Sequence, residues 1–147
     1  MIHFKTIILC LFSFILFIIF CSPKEMQDIV ERNITEPSKL VVLWTSGDRD
    51  VALKMVFMYT NNAKINGWWD EIRFIVWGPS SKLLSKDVEL QEYIKKMKDS
   101  GVELLACKAC ADSYGVSEKL QEIGIEVKYM GQPLTSMLKS DWVSLTF

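Results

Sequence analysis

From Leu40 onward the chain alternates short β-rich apolar runs with longer stretches of helical periodicity, and this alternation is the strongest constraint on its fold. Leu40-Val-Val-Leu-Trp44 is the first run, ended by Thr45-Ser46-Gly47-Asp48. Ile72-Arg-Phe-Ile-Val-Trp77 is the second, closed by Gly78-Pro79. Val102-Glu-Leu-Leu-Ala106 is the third and runs directly into Cys107, with two more at 125–130 and 142–147. Between them the periodicity predicts helices over about 51–64, 86–100 and 117–123. A short one opened by Pro133 carries Leu134, Met137 and Leu138. Strands joined through helices need crossover connections, which are right-handed and cover the sheet. The expected class is therefore α/β: a three-layer α/β/α sandwich, flavodoxin-like in build, with a mostly parallel sheet of about five strands.

Helix-end signals support these boundaries. Asp48 and Asp50 stand where carboxylates cap a helix N-terminus. In the 86–100 stretch Leu90, Ile94 and Met97 share a face, Asp87, Glu89 and Glu92 come early, and Lys95, Lys96 and Lys98 come late. That order suits the helix dipole, and Gly101 ends the stretch. Ser117 is expected to cap the next helix and Gly124 to end it. The 51–64 stretch is unusually apolar, with Val51, Ala52, Leu53, Met55, Val56, Phe57, Met58 and Tyr59. It either crosses the sheet centrally or presents a second face to another subunit. Trp68-Trp69 just beyond favours association, because large apolar patches are rare on monomers.

The first 21 residues read as a targeting segment. Thr6 to Cys21 carries no charge, follows Lys5 and precedes Ser22-Pro23-Lys24, the build of a secretory signal or membrane anchor. Three readings stay open. Cys21 sits where a bacterial lipoprotein carries its lipidated cysteine, although Ile18-Ile19-Phe20 lack the small residue expected before it. An uncleaved anchor and a cleaved leader are the others. Each implies export, with the domain facing the periplasm or cell exterior. Residues 22–38 are polar and interrupted by Pro23 and Pro37, a tether ahead of a domain at 39–147. Asn33-Ile34-Thr35 fits a glycosylation sequon, a short pattern that matters only in a eukaryotic secretory route.

The placement of histidine and cysteine narrows the chemistry. The one histidine, His3, and two of the four cysteines, Cys10 and Cys21, lie in the leader, so the domain holds only Cys107 and Cys110. Acting alone, it has no Ser-His-Asp or Cys-His pair and neither histidine-ligated nor four-thiolate zinc. A net charge of -1 offers no basic face for nucleic acid. No cofactor or metal is expected.

Cys107-Lys108-Ala109-Cys110 is the one reactive constellation, at the carboxyl end of a strand, where open α/β sheets place their ligands. Lys108 and a turn's backbone N–H groups favour a thiolate there, while Asp112 opposes it. Two thiols three residues apart fit a nucleophile and a resolving partner. They also fit inert core thiols, or zinc completed by other chains. The thioredoxin fold fits poorly, because the pair follows the third strand and Gly115 interrupts within five residues. A phosphate-loop reading of Thr45-Ser46-Gly47-Asp48 is weaker than a capped turn, since Asp48 and Asp50 would face the phosphate. Trp44 and Trp77 read as core, and the scattered carboxylates as solvated surface.

The strand into Cys107-Lys-Ala-Cys-Ala-Asp-Ser-Tyr-Gly-Val116, with glycine eight residues after the cysteine, resembles the cysteine segment of the DsrE-like (DsrE/DsrF-like) sulfur-relay proteins. Leu40-Val-Val-Leu-Trp-Thr-Ser-Gly-Asp48 and Ile125-Glu-Val-Lys-Tyr-Met130 are similar to it as well. The resemblance spans 39–147 and implies a three-layer α/β fold, homo-oligomers that are often trimers or hexamers, and a cysteine carrying sulfane sulfur as a persulfide between donor and acceptor partners. By position Cys107 matches the carrier. Cys110 falls where relay members often have a small residue, and a resolving thiol there implies discharge as sulfide. The leader is a second departure, since the better-known members are cytoplasmic. Three functions follow as expectations: a persulfide carrier or sulfurtransferase, a thiol–disulfide redox module, and a non-catalytic oligomeric assembly protein.

Overall fold

The computed structural model describes residues 38–147. The expectations for the 1–21 leader, lipidation of Cys21, the tether and the Asn33 sequon lie outside the described residues, apart from Ser38 at the tether's end.

Five strands form one all-parallel sheet: β1 Lys39–Trp44, β2 Glu71–Val76, β3 Glu103–Cys107, β4 Glu126–Lys128 and β5 Trp142–Thr146, in the order β4-β3-β2-β1-β5. Helix α1 follows β1 in three consecutive segments, Arg49–Val51, a π-helical Ala52–Phe57 and Met58–Ile65. Helices α2 (Pro79–Leu84) and α3 (Val88–Asp99) follow β2, α4 (Lys108–Ser113) and α5 (Ser117–Glu122) follow β3, and α6 (Gly131–Leu138) follows β4. Strands β1 to β4 step across the sheet in one direction, so three right-handed crossovers fall on one face. The return from β4 to β5 runs the other way, which puts α6 alone on the opposite face.

The side chains follow this division. On the first face Leu40, Val42, Trp44, Ile72, Phe74, Val76, Leu104 and Ala106 pack under Ala52, Val56 and Phe57 of α1, Leu90, Ile94 and Met97 of α3, and Leu120 of α5. Trp44, Phe57 and Phe74 interlock there, with ring centroids 5.0 Å apart for Trp44–Phe57 and 5.7 Å for Phe57–Phe74. On the second face Val41, Ile75, Leu105 and Cys107 pack with Met130, Leu134 and Met137. One short helix cannot cover five strands, and the amino-terminal half of this face is charged. Arg73 reaches Glu103 at 2.6 Å and Glu71 at 3.3 Å and lies over the Trp142 ring, and Lys39 pairs with Asp141 at 3.0 Å. Those polar ends let that half of the sheet meet water.

The structure departs from the sequence expectations at element ends. Helix α1 starts at Arg49, and Asp48 is its cap, accepting from the Asp50 and Val51 N–H groups, while Asp50 lies in the first turn. Helix α2 lies in a stretch where no element is predicted: six residues are too few to show a helical period, and its Ser80 and Ser81 are polar yet buried. Proline at the first helical position gives the start. Ser117 does not cap α5; Val116 holds that place, and Ser117 Oγ donates to Asp112 at 2.6 Å. The short α4 stops where Gly115 turns at φ +65, a conformation suited to glycine. Among the described residues no helix is long and apolar enough to cross a membrane.

Candidate functional site

The chain leaving β3 turns to the first face and the chain leaving β4 turns to the second, so their connections diverge between the two carboxyl ends. Open α/β sheets bind ligands where neighbouring connections diverge in this way. Cys107 is the last residue of β3, paired with Lys128 of β4, and therefore stands at that divergence. Strand alternation puts its side chain with Leu105 on the second face, against Met130 and Met137. It keeps extended dihedrals (φ −68, ψ 110) and is the residue from which α4 springs. One helical turn on, Cys110 faces back toward it.

The two sulfurs are 3.1 Å apart, and both are free thiols. Cys107 is 4% exposed and Cys110 half-buried, so solvent reaches the second more readily. The Cys110 S–H donates to Cys107 Sγ. Burial and that contact push the Cys110 thiol above its ordinary pKa, and a hydrogen bond from the Gly78 N–H pulls against them. Lys108 and Asp112, whose opposing influences the sequence could not sum, pair with one another at 2.6 Å. Asp112 also accepts from Ser117. Asp112 holds the Lys108 ammonium above its usual value, and Lys108 and Ser117 hold the Asp112 carboxyl below its own. Both are exposed and satisfied locally, so neither sets the charge at the sulfurs. Lys108 Nζ stands 5.7 Å from the Tyr129 ring centroid.

The other sequence candidates separate from this site. The Thr45–Asp48 turn spends its polar groups internally: Thr45 Oγ1 donates to the Phe147 carbonyl at 2.6 Å, Ser46 Oγ accepts from the Asp48 N–H, and Asp48 caps α1. Trp44 is fully buried in the first-face core. Trp77 is half-buried and packs on the same second-face cluster as Cys110, so it borders the site. Tyr129, Met130 and Gly78 are site residues the sequence reading missed; the Gly78-Pro79 stop signalled only a strand end. Among the described residues no three His, Cys, Asp or Glu side chains gather in a way that could hold a metal. An open groove of about 560 Å³, lined by Gly47, Pro79, Lys82, Leu83, Lys86, Asp87 and Val88, contains neither thiol.

Residues 38–145 match the DsrE/DsrF-like family, and the match takes in the whole sheet to Leu145, with the thiol pair at the end of its third strand. The chain belongs to the DsrE/DsrF-like family. Among solved structures, this family member is similar to the conserved protein of unknown function BT1422 from Bacteroides thetaiotaomicron. The identity is 40% and the TM-score 0.73, over 75% of this chain and 95% of that one. It also shares its fold with the ychN protein from E. coli, at 14% identity and a TM-score of 0.57, over 76% of this chain and 100% of that one. No curated protein matches it. Membership ties the DsrE/DsrF-like chain to a sulfur-relay type of family, and the α/β expectation from its strand–helix alternation holds with the sheet wholly parallel.

Proposed function

We propose that this protein carries sulfane sulfur as a persulfide on Cys107, with Cys110 as the resolving thiol. The observation that carries the reading is the pair itself: two free thiols 3.1 Å apart at the divergence of β3 and β4. In the loading step the Cys107 thiolate attacks the outer sulfur of a persulfide donor. The donor's S–S bond breaks, its thiolate leaves, and Cys107–SSH remains. The load then passes to an acceptor thiol or is resolved. In resolution the Cys110 thiolate attacks Cys107 Sγ, and the bond to the outer sulfur breaks with its electron pair leaving as hydrosulfide. The outer sulfur is reduced as the two cysteines are oxidised to a disulfide, which a thiol reductant reopens. Closing the bond needs the sulfurs to approach by about one ångström, since a disulfide spans about 2.05 Å. The same closeness supports a thiol–disulfide module without sulfur carriage.

Intact mass after incubation with a small persulfide donor separates the two. The full chain should gain one sulfur atom transiently, then lose that sulfur together with two hydrogens as one hydrogen sulfide, ending two hydrogens lighter than at the start. Cys110→Ser should keep the added sulfur at least tenfold longer in the absence of acceptor. A wild-type protein that passes to the disulfide without a sulfur-bearing species would leave only the redox module. Because the Cys110 thiol is pushed up, its thiolate is scarce at neutral pH, so sulfide release should accelerate as pH rises toward its pKa.

We further propose that the domain works as a homo-oligomer, exported and held at a membrane by residues 1–21. Met55 and Met58 on α1 and Trp68 beyond it are 52%, 49% and 56% exposed, an apolar outer face that supports association. Replacing Met55 and Met58 by lysine together should lower the molar mass seen by light scattering to that of one chain. An unchanged mass would remove this face from the assembly.

A further inference from the structure

The core on the second face is rich in sulfur. Of its six buried residues, Val41, Ile75, Leu105, Cys107, Met130 and Met137, three carry a sulfur atom, and Cys110 packs against them. The first-face core has twenty-one buried residues and a single sulfur, that of Met97. Met130, Leu134 and Met137 follow one another at spacings of four and three, the stripe by which α6 meets the sheet. Leucine throughout would serve such a stripe as well, so packing alone does not account for two thioethers beside two thiols. Met130 is held firmly. It lies two residues past Lys128, the register partner of Cys107, and its carbonyl accepts the Leu134 N–H at 2.9 Å where α6 begins. Its side chain is buried, as is that of Cys107, so the half-buried Cys110 is the side that solvent reaches.

Thiolate and thioether sulfur are soft, polarisable donors suited to Cu(I), zinc or iron–sulfur clusters. Zinc and iron–sulfur clusters take their full set of ligands from thiolates, imidazoles or carboxylates. Among the described residues no third His, Cys, Asp or Glu joins the pair, and Asp112 is engaged by Lys108 and Ser117, each at 2.6 Å. Cu(I) is satisfied by two or three soft ligands, so two thiolates and one thioether complete its shell. We propose that Cys107, Cys110 and Met130 form a Cu(I) site. On binding, both S–H protons pass to solvent, two Cu–S bonds form, and the Met130 sulfur donates a lone pair; no electron changes hands. With metal–thiolate bonds of about 2.3 Å and a trigonal spread, two sulfurs on one ion stand about 4 Å apart. The thiols, at 3.1 Å, therefore part by roughly one ångström, the same travel that a disulfide needs in the opposite sense. Cys110, half-buried on the six-residue α4, is the one with room to move. Val41, Leu105 and Leu134 wall the site with hydrocarbon, which keeps out the water that harder ions bring as ligand. The site is independent of sulfur carriage, although both uses need the same two thiols.

The test titrates the full chain, reduced and kept free of oxygen, with Cu(I) held by the chromogenic chelator bicinchoninate. One Cu(I) per chain should leave the chelator. Half an ion per chain, the mark of a site shared between two copies, overturns the proposal. Cys107→Ser and Cys110→Ser should each weaken uptake by about a hundredfold or more, since each removes a charged ligand. Met130→Leu keeps the volume of the core and should weaken uptake by about tenfold, while Met137→Leu should leave it within about twofold. A loss confined to Met137→Leu, or absent from both leucine variants, overturns the ligand set. Excess Zn(II) should leave the bound Cu(I) in place, and its displacement by zinc counts against a soft-ion site. Should a variant not fold, X-ray absorption at the copper edge decides the matter on the unaltered chain. Three sulfur neighbours are expected, and two sulfurs, or any nitrogen or oxygen, overturn the proposal. No readout uses a sulfur donor, so failure to load sulfur counts against the carrier reading alone, and failure to bind copper against this one alone.

Discussion

Cys107→Ser should abolish the sulfur gain seen by intact mass, leaving the chain at its own mass after incubation with a persulfide donor. The expectation follows from where the two thiols stand. Cys107 ends β3 at the divergence of the crossovers, and its sulfur is the acceptor in the contact between the pair. Cys110 holds its proton more tightly than an ordinary thiol, because it is buried and donates to Cys107, so it is the poorer first nucleophile at neutral pH. A serine hydroxyl is no substitute nucleophile for sulfane sulfur. The variant should still fold, since serine is slightly smaller, and burying a hydroxyl there costs about 1–3 kcal/mol. A thermal melt checks that. The same variant has a second expected result of defined sign. Burial is the first cause that pushes Cys110 up, and the Cys107 sulfur supplies the other two, its contact and its charge; removing it should let iodoacetamide label Cys110 faster at pH 7 than in wild type. If the serine variant gains as much sulfur as wild type, Cys107 is not the carrier.

Phe74→Ala should be the most destabilising single change in the domain, at about 3–5 kcal/mol, the usual loss for removing a buried phenyl ring. Phe74 lies in β2, with strands paired on both sides, and is fully buried. Its ring centroid is 5.7 Å from that of Phe57 and 6.1 Å from that of Trp44, so its removal opens a cavity under α1 that close packing cannot refill. For a domain of this size each kcal/mol shifts Tm by roughly 4 °C, so the melt should fall by more than ten degrees. Pairing it with Phe57→Ala should show a coupling of about 0.5–1.5 kcal/mol beyond additivity, the range for aromatic pairs. Val143→Ala on the edge strand β5 is the control: Val143 is 52% exposed, and the change should stay within about 0.5 kcal/mol. A Phe74→Ala loss under about 1 kcal/mol would mean that the aromatic cluster does not organise the first face.

Much of the fold was legible along the chain because burial on two faces makes parallel strands read as continuous apolar runs. Val41-Val42 and Phe74-Ile75-Val76 each serve both cores, so neighbours in sequence are both buried. Helix α3 showed itself by Leu90, Ile94 and Met97, all buried, and by acids ahead of lysines; Asp87, read as one of those acids inside the helix, is its cap, accepting from the Leu90 N–H. The short pieces were less legible. Helix α2 has six residues and hides Ser80 in the interior, where its hydroxyl ties the ends of β1 and β2 together. No periodicity marks such a residue, because its reason for burial is a set of carbonyl and amide partners from elsewhere in the chain.

The site divides in the same way. Sequence alone determined that Cys107 and Cys110 are the domain's only thiols, with no histidine beside them, and that their spacing suits a reacting pair. It also determined the parallel α/β architecture, because the periods of 2 and 3.6 residues are local properties of the chain. Tertiary structure decided which thiol is shielded, as Met130 and Met137 pack against Cys107. Those methionines stand more than twenty residues beyond Cys107 in the chain and meet it only through the order of the strands. That order, β4-β3-β2-β1-β5, sends one crossover to the opposite face and so sets Cys107 where the connections diverge.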